Sequence, residues 1–309
     1  MSAVEVLAPG LQTTVQDLGR WGHQSIGVPV AGPMDPFAHR LANALAGNER
    51  GAATLEVTLQ GPTLRFSDAR TVAIAGAQFD LFLDDVQVGT SSFPVRPGGL
   101  LRFGERRRGT RAYVAVSGGI DVPLVLGSRS THLPTRTGGL EGRALVRGDR
   151  LPLGAPVGPA RGRPGIETRS GDEAPAVRVL PGPQDDRFSA DALAVLVSAP
   201  YYVTVDSNRM GYRLEGGALR HRAGADIISD ATPMGSIQVP ASGQPLLLMA
   251  DRQTTGGYAK LATIISADIG VAGQAAPGDR IQFQVCSRAD AVAALLARER
   301  PLLAVEAGT

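Results

Sequence analysis

Lys260 is the only lysine of the chain, and it ends a polar, glycine-containing segment that begins at Asp251. Arginine occupies every other cationic position among the 31 lysine and arginine residues. A lysine differs from an arginine in carrying a compact, titratable ammonium on a flexible stem. Its retention here indicates that this position needs an ammonium to hold a carboxylate or phosphate. Chance is the alternative, because some position has to carry the last lysine.

The residues before Lys260 supply further groups for binding a polar substrate. The apolar run 246–249 predicts a buried strand, so Asp251 emerges at the end of a rigid element. Gln253 adds an amide, and with Lys260 and Asp251 it completes the candidate catalytic set. We predict further substrate contacts from the hydroxyl groups of Thr254, Thr255 and Tyr258. The backbone at Gly256 and Gly257 can approach a ligand closely and hold an oxyanion. The alternative is a polar turn with a surface Lys–Asp ion pair.

A second candidate segment runs from Ser207 to Gly216 and contains Arg209 and Arg213. A spacing of four places both guanidiniums on one face of a helix or a strand. Two guanidiniums on one face suit the capture of a carboxylate or phosphate, and Asn208 lies beside them. In an arginine-rich chain the alternative is a pair of bridges to surface carboxylates.

A third polar stretch covers residues 13–35, which we expect to form a long loop before a helix. Asp17 and Arg20 are candidate substrate-binding residues there, although pairing with each other explains them equally well. Asp35 is better explained as a helix N-cap, because Pro36 follows it at the position proline prefers. Gly47 is the corresponding stop signal.

Short apolar segments separated by 39 glycines and 22 prolines predict a mainly β protein with a few helices. Besides the helix after Asp35, helices are predicted at 189–197 and from Ser287 towards Pro301. Residues 159–175 are rich in glycine, proline and charge, which is typical of a linker. The predicted domains are therefore 1–158 and 176–309. The predicted strands are 4–7, 53–59, 72–74, 79–83, 100–103, 112–116, 177–180, 201–205, 246–249, 261–265 and 281–285.

Composition argues against several function classes. The net charge of +2 and the lack of aromatic platforms argue against nucleic-acid binding, and Arg106-Arg107-Arg108 is interpreted as a solvated hairpin tip. One cysteine excludes an intrachain disulfide and a multi-cysteine metal site, so no metal is expected. No segment approaches the length of a membrane span, and a cytoplasmic protein is expected.

Motifs for nucleotides and biotin are also missing from the sequence. No P-loop motif surrounds the single lysine, and no Met-Lys pair is present to accept biotin. If a nucleotide or biotin is used, a partner must supply it or help to bind it.

Several stretches together resemble the family variously called allophanate hydrolase subunit 2, KipA or the C subunit of 5-oxoprolinase, which is also the carboxyltransferase domain of urea carboxylase. The run Gln253-Thr254-Thr255-Gly256-Gly257-Tyr258 is the most specific match. The stretches that carry the resemblance are 13–20, 27–35, 118–131, 207–216, 235–240 and 251–260.

The resemblance implies a cyclophilin-like architecture of two β-barrel-type subdomains with the site in a cleft between them. It implies a complex with the KipI-like B subunit and the A subunit of 5-oxoprolinase, acting on an amide or lactam. The expected activity is ATP-dependent opening of 5-oxoproline to glutamate, with ATP bound together with a partner. One alternative is the carboxyltransferase subunit of a urea or amide carboxylase with biotin on a separate carrier. Another is a non-enzymatic KipA-like module that binds a KipI-like kinase inhibitor.

Overall fold

The computed structural model of the chain describes residues 2–89, 92–157 and 176–307. These residues form two compact units. The first comprises the described residues within Met1–Trp21, Ala31–Arg169 and Glu299–Thr309, and the second comprises those within Gly22–Val30 and Ser170–Arg298. The predicted linker 159–175 lies outside the described residues. The predicted domain boundaries at 158 and 176 therefore stay a prediction.

The first unit holds a curled nine-stranded sheet in the order β2-β3-β8-β4-β1-β9, in which β5 also pairs with β6, β7 and β8. One face of this sheet encloses an apolar core that includes Val4, Leu55, Phe66 and Val114. Its strands are β1 (Ala3–Ala8), β2 (Gln12–Gln16), β3 (Thr54–Thr58), β4 (Thr63–Phe66), β5 (Arg70–Leu83), β6 (Val86–Val88), β7 (Ser92–Val95), β8 (Leu100–Val116) and β9 (Arg150–Pro152).

The hairpin tip predicted at Arg106-Arg107-Arg108 is wrong, because these residues lie inside the long strand β8. The predicted segments 100–103 and 112–116 are its two ends, and Arg106 and Arg108 pair with β5. Irregularities in the register let the two long strands stay paired, and Gly109 adopts a positive φ of 70° there. Exposure of the arginines was predicted correctly for Arg106 and Arg107.

The polar stretch 13–35 also differs from the predicted loop, since its first residues form β2. Thr13 and Thr14 are buried in that strand, where β-branched side chains pack well. The helix α1 (Pro36–Ala46) begins as predicted, because the Asp35 carboxylate accepts a hydrogen bond from Ala38 N at 3.1 Å. Gly47 ends it in the left-handed conformation.

The second unit is organised around a closed barrel in the order β10-β17-β14-β15-β12-β11-β18. The barrel closes because β10 pairs with β17 on one side and, in parallel, with β18 on the other. Among the described residues, two further strands, β13 and β16, pair with each other and with no other strand, as a two-stranded ribbon. The strands are β10 (Ala176–Pro181), β11 (Tyr201–Val203), β12 (Gly211–Glu215), β13 (Asp226–Ala231), β14 (Ser236–Gln238), β15 (Leu246–Leu248), β16 (Thr255–Tyr258), β17 (Lys260–Ile264) and β18 (Arg280–Val285).

Three more helices are α2 (Ala192–Ser198), α3 (Ile269–Gly273) and α4 (Arg288–Ala307). The start of α4 was predicted correctly, with Ser287 and Asp290 exchanging hydrogen bonds. The helix continues through Pro301, however, instead of ending near it. Leu302 and Val305 beyond the proline are buried in one apolar cluster with residues of α1, so packing outweighs the missing proline N–H.

The structure confirms the predicted mainly β class with a few helices. Among the described residues, no helix combines the length and the apolar character that crossing a membrane requires.

Candidate functional site

The predicted site residues fall into both units. Asp17 and Arg20 belong to the first, and all the others, from Asn208 to Lys260, belong to the second. The two groups are therefore described separately, beginning with the second unit.

Lys260 is the first residue of the barrel strand β17, and its side chain is only 2% exposed. Its Nζ donates a hydrogen bond of 2.7 Å to Asp230 Oδ2. Gln184 joins the same pair, because it accepts from Lys260 N at 3.2 Å and donates to Asp230 Oδ2 at 3.1 Å. The hydrogen bond from Lys260, with those from the Ala231 backbone and Gln184, holds the pKa of Asp230 below its ordinary value. The ion pair of Lys260 is thus with Asp230 and not with Asp251.

The ammonium of Lys260 still has binding capacity. It carries three N–H donors, and only one is donated to an acceptor within the part of the chain that the structure describes. Buried polar groups are normally satisfied by hydrogen bonds. Unused donors on a buried cation therefore favour the binding of an oxygen from outside the chain.

Asp251 lies just beyond β15, as predicted, but its carboxylate is buried against Arg209. Arg209 Nε and Nη2 donate to Asp251 Oδ2 and Oδ1 at 3.0 Å and 2.9 Å. Both side chains are nearly inaccessible, at 5% and 1% exposure, and Asp251 N donates to Arg209 O at 2.8 Å. This two-pronged pair fixes the start of the 251–260 segment to the loop before β12.

Gly256 and Gly257 lie in the strand β16 and not in a loop. Neither has a positive φ, and β16 pairs with β13 so that Gly256 faces Asp230. A side chain at Gly256 would place its Cβ 2.6 Å from Gln238 Nε2, whereas Gly257 has nothing closer than the carbonyl of Ile227 at 3.7 Å. A side chain at Gly256 would therefore have to displace the terminal amide of Gln238, whereas Gly257 leaves its face of the ribbon open.

The polar side chains of residues 253–258 point largely to solvent. Gln253 and Thr255 are exposed, Thr254 is half-buried, and Tyr258 is 39% exposed. Their backbone is held by Thr232, whose N–H donates to Thr254 O at 3.1 Å and whose hydroxyl donates to Gln253 O. The side chains themselves remain accessible to a ligand.

Arg209 and Arg213 are in different environments. Arg209 is buried against Asp251, whereas Arg213 is exposed on β12. Asn208 is exposed, and its Oδ1 accepts from Met210 N at 2.8 Å, which stabilises its own turn. A clamp formed by both guanidiniums is not what these contacts favour.

Asp17, in the first unit, is the centre of a buried hydrogen-bond network. Its Oδ1 accepts from the hydroxyls of Ser128 and Ser130, each at 2.6 Å, and from Gly19 N at 2.9 Å. Its Oδ2 accepts from Arg129 N at 2.5 Å. Burial raises the pKa of Asp17, but these hydrogen bonds outweigh burial and hold the pKa below its ordinary value of 3.8. The residue anchors the loop around 128–130.

Arg20 contributes to the same loop. Its Nε donates to Val125 O at 3.1 Å and its Nη2 donates to Ser130 O at 2.7 Å, while the residue is only 1% exposed. These contacts support a structural role for Arg20 in positioning residues 125–130.

The sequence analysis did not single out Asp230 and Gln238, which meet Lys260, or Arg252 in the same segment. Asp230 and Gln238 reach the lysine only through strand pairing, so no local motif marks them. Arg252 stands inside the quoted segment, but one arginine among 30 gives no signal by itself. The described residues hold no group of three histidine, cysteine, aspartate or glutamate side chains suited to a metal ion.

A closed barrel, a curled sheet and an ion pair between the buried Lys260 and the exposed Asp230 characterise this two-unit, mainly β protein. The family model of the carboxyltransferase domain, subdomain A and B, matches residues 26–285. The chain belongs to this family, and the resemblance inferred from the motifs is confirmed.

Individual relatives fall into two groups. The C subunit of 5-oxoprolinase from Escherichia coli (strain K12) is 39% identical, covering 96% of each chain. The urea amidolyase of Lachancea kluyveri is 34% identical over 91% of this chain but only 17% of its own length. The crystal structure of the Kluyveromyces lactis urea carboxylase, 32% identical, superposes with a TM-score of 0.91 and covers 99% of this chain and 29% of that one. The chain therefore corresponds to a minor part of the two larger enzymes.

The contacts of Asp17 predict a specific cost for Asp17→Asn. An amide has one accepting oxygen, so its NH2 group must face either the Arg129 N–H or the donors on Oδ1. We expect a loss of about 2–3 kcal/mol in the free energy of unfolding near neutral pH, measured by urea denaturation. Asp121→Asn, which removes an exposed ion pair with Arg129, is the control and costs at most about 1 kcal/mol.

The stabilisation by Asp17 depends on pH in a defined direction. Because its pKa is lower in the folded protein, the stabilisation is complete above the unfolded value, near 3.8, and is lost as pH falls through the folded value. The difference between wild type and Asp17→Asn therefore shrinks below about pH 4. A difference that stayed constant across this range, or equal losses in Asp17→Asn and its control, would contradict the assignment.

The two glycines of β16 form a matched pair. Gly256→Ala forces Cβ against Gln238 Nε2 and within 3.1 Å of Thr232 Cγ2, so it is expected to lower the free energy of unfolding by about 1–3 kcal/mol. Gly257→Ala meets only ordinary contacts and is expected to change it by less than about 0.5 kcal/mol. Urea denaturation of both variants tests this, and equal losses would show that the close approach at Gly256 does not matter.

Proposed function

We propose that this chain acts as the C subunit of an ATP-dependent 5-oxoprolinase complex. The observation that carries the proposal is the 39% identity with the E. coli 5-oxoprolinase C subunit over 96% of both chains. A second 5-oxoprolinase C subunit, from Haemophilus influenzae, is 36% identical over 93% of each chain. The partners in this proposal are a B-like and an A-like subunit, and the chain alone is inactive.

The reaction converts 5-oxoproline, ATP and water into glutamate, ADP and phosphate. In the proposed sequence the γ-phosphoryl group of ATP is transferred to the lactam oxygen and ADP leaves. One water molecule then adds to the former carbonyl carbon and the lactam C–N bond breaks, which gives γ-glutamyl phosphate. A second water molecule hydrolyses this acyl phosphate to glutamate and phosphate, so the reaction consumes two water molecules. We assign ATP to a site formed with one of the partner proteins.

Lys260 is the residue best suited to contact the substrate in this chain. Its ammonium is buried, rigidly placed at the start of a barrel strand, and has donors to spare. A preorganised cation in a site of low polarity stabilises negative charge that develops on an oxygen. We propose that Lys260 holds an anionic oxygen of the substrate or of the transferred phosphoryl group.

The surrounding residues are assigned by their exposure. Gln253 orients the amide, with contacts from Thr254, Thr255 and Tyr258, and the open face at Gly257 admits the substrate. The Arg209–Asp251 pair positions the segment, because both side chains are occupied by each other. Contacts of Asn208 and Arg213 with the substrate stay a prediction.

The family match supports a second candidate function. The carboxyltransferase model covers residues 26–285, and the superposition with the K. lactis urea carboxylase reaches a TM-score of 0.91. In this alternative the chain transfers a carboxyl group between urea or another amide and biotin, with biotin carried by a separate protein.

Reconstitution distinguishes the two functions. The chain is mixed with its B-like and A-like partners, and ADP and glutamate are measured with 5-oxoproline and ATP. The proposal expects glutamate only when all subunits are present. Turnover of urea with a biotinylated carrier, without glutamate formation from 5-oxoproline, would replace it by the carboxyltransferase function.

Lys260→Arg tests the role of the ammonium in the reconstituted complex. A planar guanidinium does not fit the position of a compact ammonium, so we expect turnover to fall at least about 10²-fold. Thermal unfolding and assembly with the partner subunits, measured on the same variant, separate this loss from misfolding. Activity within a factor of about two of wild type in a folded, assembled complex would overturn the assignment of Lys260.

A further inference from the structure

Arg252 has contacts unlike those of Arg209 and Arg178 in the same unit. Arg209 and Arg178 each form a two-pronged pair with a carboxylate, Asp251 and Asp268 respectively. Arg252 instead donates only to backbone carbonyls: from Nε to Thr232 O at 2.6 Å and from Nη1 to Met249 O at 3.3 Å. Two neutral carbonyls hold the guanidinium in place without neutralising its charge.

These contacts leave part of the guanidinium available. Arginine has five N–H donors, so three of those on Arg252 have no acceptor among the residues the structure describes. The residue is half-buried, so these donors are at the edge of the protein and not sealed in its core. A guanidinium with a fixed plane and free donors is preorganised to bind an oxyanion through two parallel hydrogen bonds.

Arg252 and Lys260 are anchored to neighbouring parts of the chain. The carbonyl that holds Arg252 belongs to Thr232, which directly follows β13, and Lys260 is paired with Asp230 in that strand. Two residues along extended backbone are roughly 7 Å apart. The two cations are therefore anchored two positions apart at the end of β13.

The electrostatics point the same way. Burial lowers the pKa of Arg252 to about 10, while the neighbouring Asp251 opposes that change. The Asp251 carboxylate is shared, since it also binds the guanidinium of Arg209 through both oxygens. A cation that has lost solvent without gaining a carboxylate is stabilised by an incoming anion.

We propose that Arg252 is an anion-binding residue, which binds a carboxylate or phosphoryl group beside Lys260. This inference adds a ligand-binding residue to the proposed 5-oxoprolinase subunit. It rests on that proposed function only in naming 5-oxoproline as the source of the carboxylate. The lactam of 5-oxoproline carries one carboxylate, and the phosphoryl group comes from ATP. The two sources share the same chemistry and differ in which small molecule binds.

The test measures binding to the full chain without its partners, so it does not depend on turnover. The probes are 5-oxoproline, inorganic phosphate and 2-pyrrolidinone, which is the same lactam without the carboxylate. Binding is followed by NMR on the ¹⁵N-arginine-labelled chain at constant ionic strength. The variants are Arg252→Gln, Arg252→Lys and, as a control with the same loss of charge on an exposed position of β18, Arg280→Gln.

Wild type is expected to bind 5-oxoproline or phosphate, and 2-pyrrolidinone more weakly. Arg252→Gln loses charge-assisted hydrogen bonds, so its affinity for the anion is expected to fall by roughly 10- to 100-fold. The affinity of Arg280→Gln is expected to stay within about twofold of wild type. Binding of 5-oxoproline alone identifies a carboxylate site, and binding of phosphate identifies a phosphoryl site. Arg252→Lys keeps the charge but not the fork, so it retains part of the affinity, and it replaces the glutamine variant if that one does not fold.

Failure of this inference is distinct from failure of the proposed function. No binding of either anion by wild type, or equal affinities in Arg252→Gln and wild type, overturns the inference even if the complex is active. Binding that depends on Arg252 in a chain whose complex does not turn over 5-oxoproline supports the inference and removes the proposed function.

Discussion

The burial of the Lys260 ammonium is the constraint on which the rest of the candidate site depends. Removing a charge from water is costly unless an opposite charge and hydrogen bonds replace the lost solvent. Asp230 provides that charge from β13, the partner of β16 in the two-stranded ribbon. The position of the two-stranded ribbon is thus tied electrostatically to a strand of the closed barrel, and the glycines of β16 are held beside the lysine by the same pairing.

The barrel holds Lys260 in a fixed position, and the ribbon leaves a polar surface open to a ligand. Lys260 is the first residue of β17 and Gln238 is the last residue of the neighbouring β14. The two residues are paired within the barrel wall. Gln238 in turn fills the space that a side chain at Gly256 would need. A close approach of this kind fixes the ribbon against the barrel without covering Gly257, so one glycine serves packing while the next keeps a polar surface open.

Local signals were read correctly at the two ends of α1 but not at Arg106-Arg107-Arg108 or Pro301, and contacts between distant residues were not predicted. The cap at Asp35 and the turn at Gly47 depend on neighbouring residues, and both were found. The rarity of lysine singled out Lys260, but neither its burial nor its partner Asp230, which is 30 positions away, could be predicted from neighbouring residues. Gly256 and Gly257 look like loop residues in the sequence because glycine is uncommon inside strands. Only the pairing with β13 shows that they form a strand.

Arginine identity carries little functional information in a chain where arginine has replaced lysine almost everywhere. What separates one arginine from another is the partner that its guanidinium meets. Arg209 meets a buried carboxylate, and such a pair adds little net stability compared with apolar packing but fixes geometry, since removing either partner leaves an uncompensated charge. Arg252 meets only carbonyl oxygens, which orient a guanidinium without neutralising it. An arginine of the first kind builds a site, whereas one of the second kind still has a charge with which to recognise a ligand.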